Sequence, residues 1–137
     1  MISNLPSRMR RASAVAAIAV VAAVAPPAVG QQANLEGSWS GSGTLTYPSG
    51  DRESARCKAS FRRQGGNNFA MNAVCATPSG RVAQTAELDR VSANRFSGEF
   101  HNPDYGVTGT INVTVQGNNL SASLNGGGAS ASFSLSR

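Results

Sequence analysis

The sequence predicts an all-β fold, an eight-stranded antiparallel up-and-down (meander) barrel with one disulfide, in a single domain over residues 31–137. Three observations lead there. From Gln31 onward apolar and polar residues alternate with a period of two, and no stretch keeps apolar residues at helical spacing for more than a turn. Short segments rich in Gly, Pro, Asn and Ser separate the alternating runs. Finally, the two cysteines, Cys57 and Cys75, share the parity of the large apolar residues in neighbouring runs.

The first run places Trp39, Gly41, Gly43, Leu45 and Tyr47 on one face and Ser38, Ser40, Ser42, Thr44 and Thr46 on the other. Pro48 and Gly50 turn the chain. The second run, Asp51 to Arg63, sends Ala55, Cys57, Ala59 and Phe61 inward, and the third, Asn68 to Ala76, does so with Phe69, Met71, Ala73 and Cys75. Pairing Cys57 with Cys75 in antiparallel register also pairs Ala59 with Ala73 and Phe61 with Met71. Crosslink and hydrophobic pattern therefore specify the same register, which a slip of one residue would destroy.

Val82, Gln84, Ala86 and Leu88 form the inner face of a fourth run, and Phe96, Gly98 and Phe100 that of a fifth. Val107, Gly109, Ile111, Val113 and Val115 alternate with Thr and Asn in the sixth. Leu120, Ala122 and Leu124, then Ala131, Phe133 and Leu135, supply the last two. Eight such strands with short links close into a barrel without open edges. A two-sheet sandwich is the competing architecture, disfavoured because no loop is long enough for a Greek-key crossover. Serine, threonine and arginine dominate the outer face, whereas an outer-membrane barrel needs an apolar band there.

Residues 1–30 have the pattern of a cleaved secretory signal peptide. Arg8, Arg10 and Arg11 precede an uncharged apolar run that ends on Ala28-Val29-Gly30, so cleavage is expected before Gln31. The location expected is the periplasm or the exterior, with no integral membrane association after cleavage. A disulfide between Cys57 and Cys75 suits that oxidising compartment. Three of the twelve basic residues leave with the leader, so nine face seven acids and the net charge falls from +5 to +2. Such a balance gives no reason to expect nucleic acid as a partner.

Catalytic residue types are scarce. His101, the single histidine, has Asp104 near it in sequence, but no serine or cysteine is placed to complete a triad. No enzyme activity, metal or cofactor is expected. Arg52, Arg56, Lys58, Arg62 and Arg63 form a basic stripe, a candidate surface for an anionic partner or simply the charge that protects a solvated strand.

Trp39 follows Gly37 in a Gly-x-Trp pattern at the start of the first strand, and Arg137 closes the last. In a closed meander these strands are neighbours, so the guanidinium can stack on the indole at one barrel end. The arrangement resembles the calycin superfamily, in which a Gly-x-Trp near the start of the barrel is packed by a basic residue from the last strand. In size and disulfide position it is most similar to the secreted bacterial metalloprotease inhibitors. That resemblance implies an inhibitory element ahead of the barrel, here Gln31, Gln32, Ala33, Asn34 and Leu35. The function expected is a non-catalytic, monomeric barrel that binds a protein or cell-envelope partner, inhibitor-like in character. The alternative is a carrier of a small hydrophobic ligand. Many large inward side chains lead us to expect a filled interior.

Overall fold

The computed structural model describes residues 13–23 and 32–137. Eight strands follow one another: β1 (Gly37–Thr46), β2 (Arg52–Gly65), β3 (Asn68–Thr77), β4 (Gly80–Arg90), β5 (Arg95–Asn102), β6 (Val107–Gln116), β7 (Asn119–Gly126) and β8 (Ala129–Ser136). Each pairs antiparallel with the next, and β8 pairs with β1, so the sheet closes into a barrel in sequence order. Cys57 lies opposite Cys75, Ala59 opposite Ala73 and Phe61 opposite Met71, and the two sulfurs are bonded. The register read from the alternation is the register of the fold.

Alternation fills the interior as a period of two requires. Along β4, Val82, Gln84, Ala86 and Leu88 are buried while their neighbours Arg81, Ala83, Thr85 and Glu87 are exposed. Several inward glycines have another task. A Cβ on Gly43 would collide with the Ser132 carbonyl oxygen and the Phe133 ring, and one on Gly98 would meet the Glu87 backbone. These glycines let neighbouring backbones approach where the sheet bends. They contribute no space to the interior.

The two barrel ends differ. One end, the floor, is built from the turns β2–β3, β4–β5 and β6–β7 together with the chain before β1. Leu35, Trp39, Phe69, Leu88, Phe96, Val113 and Val115 are buried there. The Phe69 and Phe96 rings meet edge to face, their centroids 5.3 Å apart. The opposite end, the mouth, is bounded by the turns β1–β2, β3–β4 and β7–β8 and by the β5–β6 loop.

Residues 13–23 carry no helix or strand, and Val15, Ile18, Val20 and Val21 are exposed to solvent. No helix among the described residues is long and apolar enough to cross a membrane. Arg8, Arg10 and Arg11 and the cleavage junction expected before Gln31 lie outside the described residues.

Candidate functional site

The floor is sealed by the segment that the inhibitor resemblance singles out. Leu35 is completely buried, at 0 % exposure, and its carbonyl oxygen accepts a 2.9 Å hydrogen bond from Trp39 Nε1. Ala33 N donates to the Ala93 carbonyl at 2.9 Å, and the Ala33 carbonyl accepts from Arg90 Nη2 at 2.8 Å. Gln32 and Asn34 are exposed, and Gln31 lies outside the described residues. Over this plug the Arg137 guanidinium lies 4.3 Å from the centre of the Trp39 ring system and donates to the Glu36 carbonyl at 3.1 Å. Arg90 lies 4.7 Å over Phe96 in the same way. Two arginines thus cover the aromatic floor, and each gives one hydrogen bond to the backbone of the plug, Arg90 to Ala33 and Arg137 to Glu36.

The mouth is open. A cavity of about 290 Å³ enters the barrel there, between walls that include Leu45, Val82, Phe100, Val107, Leu124 and Ala131. The expected filled interior therefore holds for the floor half only. The physical reason lies in packing by level: the almost completely buried aromatic side chains, Trp39, Phe69 and Phe96, gather at the floor, while the smaller Ala131, Val82 and Gly126 stand beside Phe100 at the mouth.

The rim is shaped by polar contacts. Tyr47 Oη donates to Glu53 Oε2 at 2.8 Å, and Ser79 Oγ donates to the other carboxylate oxygen of Glu53, joining the β1–β2 and β3–β4 turns. The bonds from Ser79 and Tyr47 hold the Glu53 carboxyl below its ordinary range. The Tyr47–Glu53 bond, with lesser contributions from burial and the Glu53 charge, pushes the Tyr47 phenol up to about 12. Across the mouth, Asn102 Oδ1 accepts from the backbone N of Asp104 and Tyr105 at 3.1 and 3.3 Å and shapes the β5–β6 loop. That loop carries Tyr105 to the rim, 60 % exposed.

Pairing between β4 and β5 stops at Thr85 and His101, so Gly80 to Gln84 have no ladder partner on that side. The backbone N of Ala83 donates instead to Asp104 Oδ2 at 3.2 Å. Alternation places Gln84 inward without distinguishing it from its neighbours, and nothing in the sequence marks the mouth as the open end.

The basic stripe divides. Arg63 belongs to the floor, 5.5 Å over Phe69 and 3.8 Å from Glu36 Oε1. Arg62 shares a cross-strand row with Ala70 and Glu87, and Arg52 stands at the mouth opposite Thr46. Arg56 and Lys58 share an outer groove with Arg81 of β4, on a row that runs Arg56, Ala76, Arg81. None of these three is in a salt bridge among the described residues. Arg81 is absent from the stripe read along β2, because register brings it there from two strands away.

His101 Nδ1 lies 3.1 Å from Thr108 Oγ1, and the Asp104 carboxylate is engaged by Ala83, so the two do not form a pair. Among the described residues no group of three or more His, Cys, Asp or Glu side chains is placed to hold a metal.

No protein family matches the sequence, and neither does any curated protein. Solved structures do match in shape. The redesigned β-barrel mFAP1, bound to DFHBI, is 13 % identical with a TM-score of 0.64, over 75 % of this chain and 94 % of that one. A fluorescence-activating β-barrel designed de novo is also 13 % identical, with a TM-score of 0.58 over 74 % of this chain and 92 % of that one. At this identity the likeness establishes the small closed β-barrel and nothing of its chemistry. The link to the metalloprotease inhibitors gains no support from these comparisons.

Proposed function

We propose that the protein is a carrier that takes a small, largely apolar molecule into the open end of the barrel. One observation carries this reading: a cavity of about 290 Å³ with mostly apolar walls, in a barrel whose other end is sealed. That volume stands at the lower end of the range for small-molecule sites. Burying apolar ligand surface supplies about 25 cal/mol per Å² removed from water. Designed barrels of the same shape include one bound to a small molecule, DFHBI, which makes the mode of binding physically reasonable for this architecture. The setting we propose is the periplasm or the exterior, in keeping with the leader and the disulfide. Native mass spectrometry of protein purified without denaturation tests the proposal. The expected spectrum shows a fraction of the protein with a bound small molecule, and organic extraction releases it. Protein that stays free of ligand after incubation with an extract of apolar metabolites from the producing cells speaks against it.

A second reading is favoured by Arg56, Lys58 and Arg81, three cations without carboxylate partners among the described residues, in one outer groove. On that reading the barrel docks an anionic protein or envelope component. Binding to such a partner weakens steeply with salt and is lost when Arg56 and Arg81 are changed to Glu. The inhibitor form of that reading requires Leu35 to leave the floor, where it is fully buried.

A further inference from the structure

Two inward amides, Gln84 and Asn102, interrupt the apolar walls of the cavity. Gln84 is only 7 % exposed, yet none of the side-chain hydrogen bonds among the described residues engages its amide. It borders the mouth cavity on one side and a small void of about 30 Å³ at the barrel centre on the other. Its partner across the β3–β4 ladder is Ala73, which offers no polar atom in its side chain. The other buried amide of the mouth, Asn102, spends its oxygen on the β5–β6 loop. Among the described residues no Lys, Arg, His, Asp or Glu side chain lines the cavity.

Arg90 Nε is the one fully buried side-chain N or O atom left without a partner among the described residues, so the Gln84 amide still reaches solvent through the cavity; losing that water is costly unless a ligand returns both a donor and an acceptor. A hydrocarbon entering this cavity strips water from Gln84 and gives nothing back. An anion or cation finds no counter-charge there. Resting on the carrier reading, we propose that Gln84 is the residue that sets ligand choice. It selects uncharged, compact apolar molecules with a carbonyl oxygen beside a hydrogen-bond donor, the lactam or carboxamide arrangement. Such a group accepts from Gln84 Nε2 and donates to Gln84 Oε1, while the apolar remainder packs on Val82, Phe100 and Leu124.

The experiment is an NMR titration of the purified protein with three probes of similar size: naphthalene, its carboxylate naphthoate, and the lactam carbostyril. Carbostyril is expected to bind at least about tenfold tighter than naphthalene, with a shift of the Gln84 side-chain amide resonance, and naphthoate is expected to bind weakest. Gln84→Leu should reverse the order of carbostyril and naphthalene, and Gln84→Met, closer in shape, should do the same in a folded barrel. Equal affinities for these two, a preference that survives both substitutions, or tightest binding of naphthoate overturns the assignment and leaves the carrier reading standing. If none of the three binds and the Gln84 amide does not move, the assignment and the carrier reading fail together.

Discussion

Trp39 shows how much one residue can tie together. Its ring fills the floor, its Nε1 serves the Leu35 carbonyl, and its face receives Arg137. Trp39→Ala is expected to cost about 3–5 kcal/mol, the usual range for emptying a core of a large aromatic group. Arg137→Ala should cost about 1 kcal/mol, since its stacked contact is exposed on one side. Urea denaturation of both variants checks the ranking, and equal losses would contradict it. At the other end, Tyr47 and Glu53 share a hydrogen bond that favours the neutral phenol. The Tyr47 pKa is raised in the folded protein, so its stabilising effect is complete below pH 10 and fades as pH climbs towards about 12. Ultraviolet titration should place Tyr47 ionisation near pH 12, and Glu53→Gln should bring it down. Residues of this kind were unevenly legible. Trp39 announces itself as the chain's single tryptophan in a glycine-serine run. Leu35 does not, because it lies before the first strand, outside any alternation, and its burial follows from closure of the whole barrel.

Strands were the most legible level, for a physical reason. Side chains on a strand must point alternately to two sides, so burial of one face prints its period on the sequence. The β2–β3 pair is the best case, with Cys57 and Cys75 confirming the register that Phe61 and Met71 require. Replacing both cysteines with Ala is expected to lower stability by about 3 kcal/mol, through the freedom returned to the unfolded 18-residue loop. Because apolar pairing still specifies the register, hydrogen exchange should show the same β2–β3 ladder in the variant. A shifted ladder would mean that the bridge alone sets it. The inward glycines were not legible at this level: alternation places Gly43 on the inner face, and only the closed barrel shows that it marks a place where β1 and β8 come too close for a Cβ. Gly43→Ala is expected to cost at least the 1–3 kcal/mol typical of overpacking, measured by the same denaturation assay.

At the scale of the molecule, the barrel is asymmetric along its axis, and this asymmetry was not legible. Alternation tells inside from outside but not top from bottom, since every strand contributes to both ends. Which end stays open depends on the level at which each inward residue sits, and that emerges only once registers are added around all eight strands. The basic stripe failed to resolve for the same reason: Arg81 joins Arg56 and Lys58 across β3 and leaves Arg63 to the floor. The outer face repeats the lesson in its polar residues. Ser42, Ser134, Ser121 and Thr114 fall in one row across four strands, uncharged throughout, while the charges gather on the other half.

The central claim is a barrel sealed by its aromatic floor and hollow at its mouth. Xenon under pressure, followed by NMR, tests it most directly, because this apolar atom enters apolar cavities whatever the natural ligand is. Resonances of Val82, Phe100, Val107, Leu124 and Ala131 should move with xenon pressure, and those of Phe69, Phe96 and the Trp39 indole should stay in place. Shifts centred on the floor, or none at the mouth, would contradict the account.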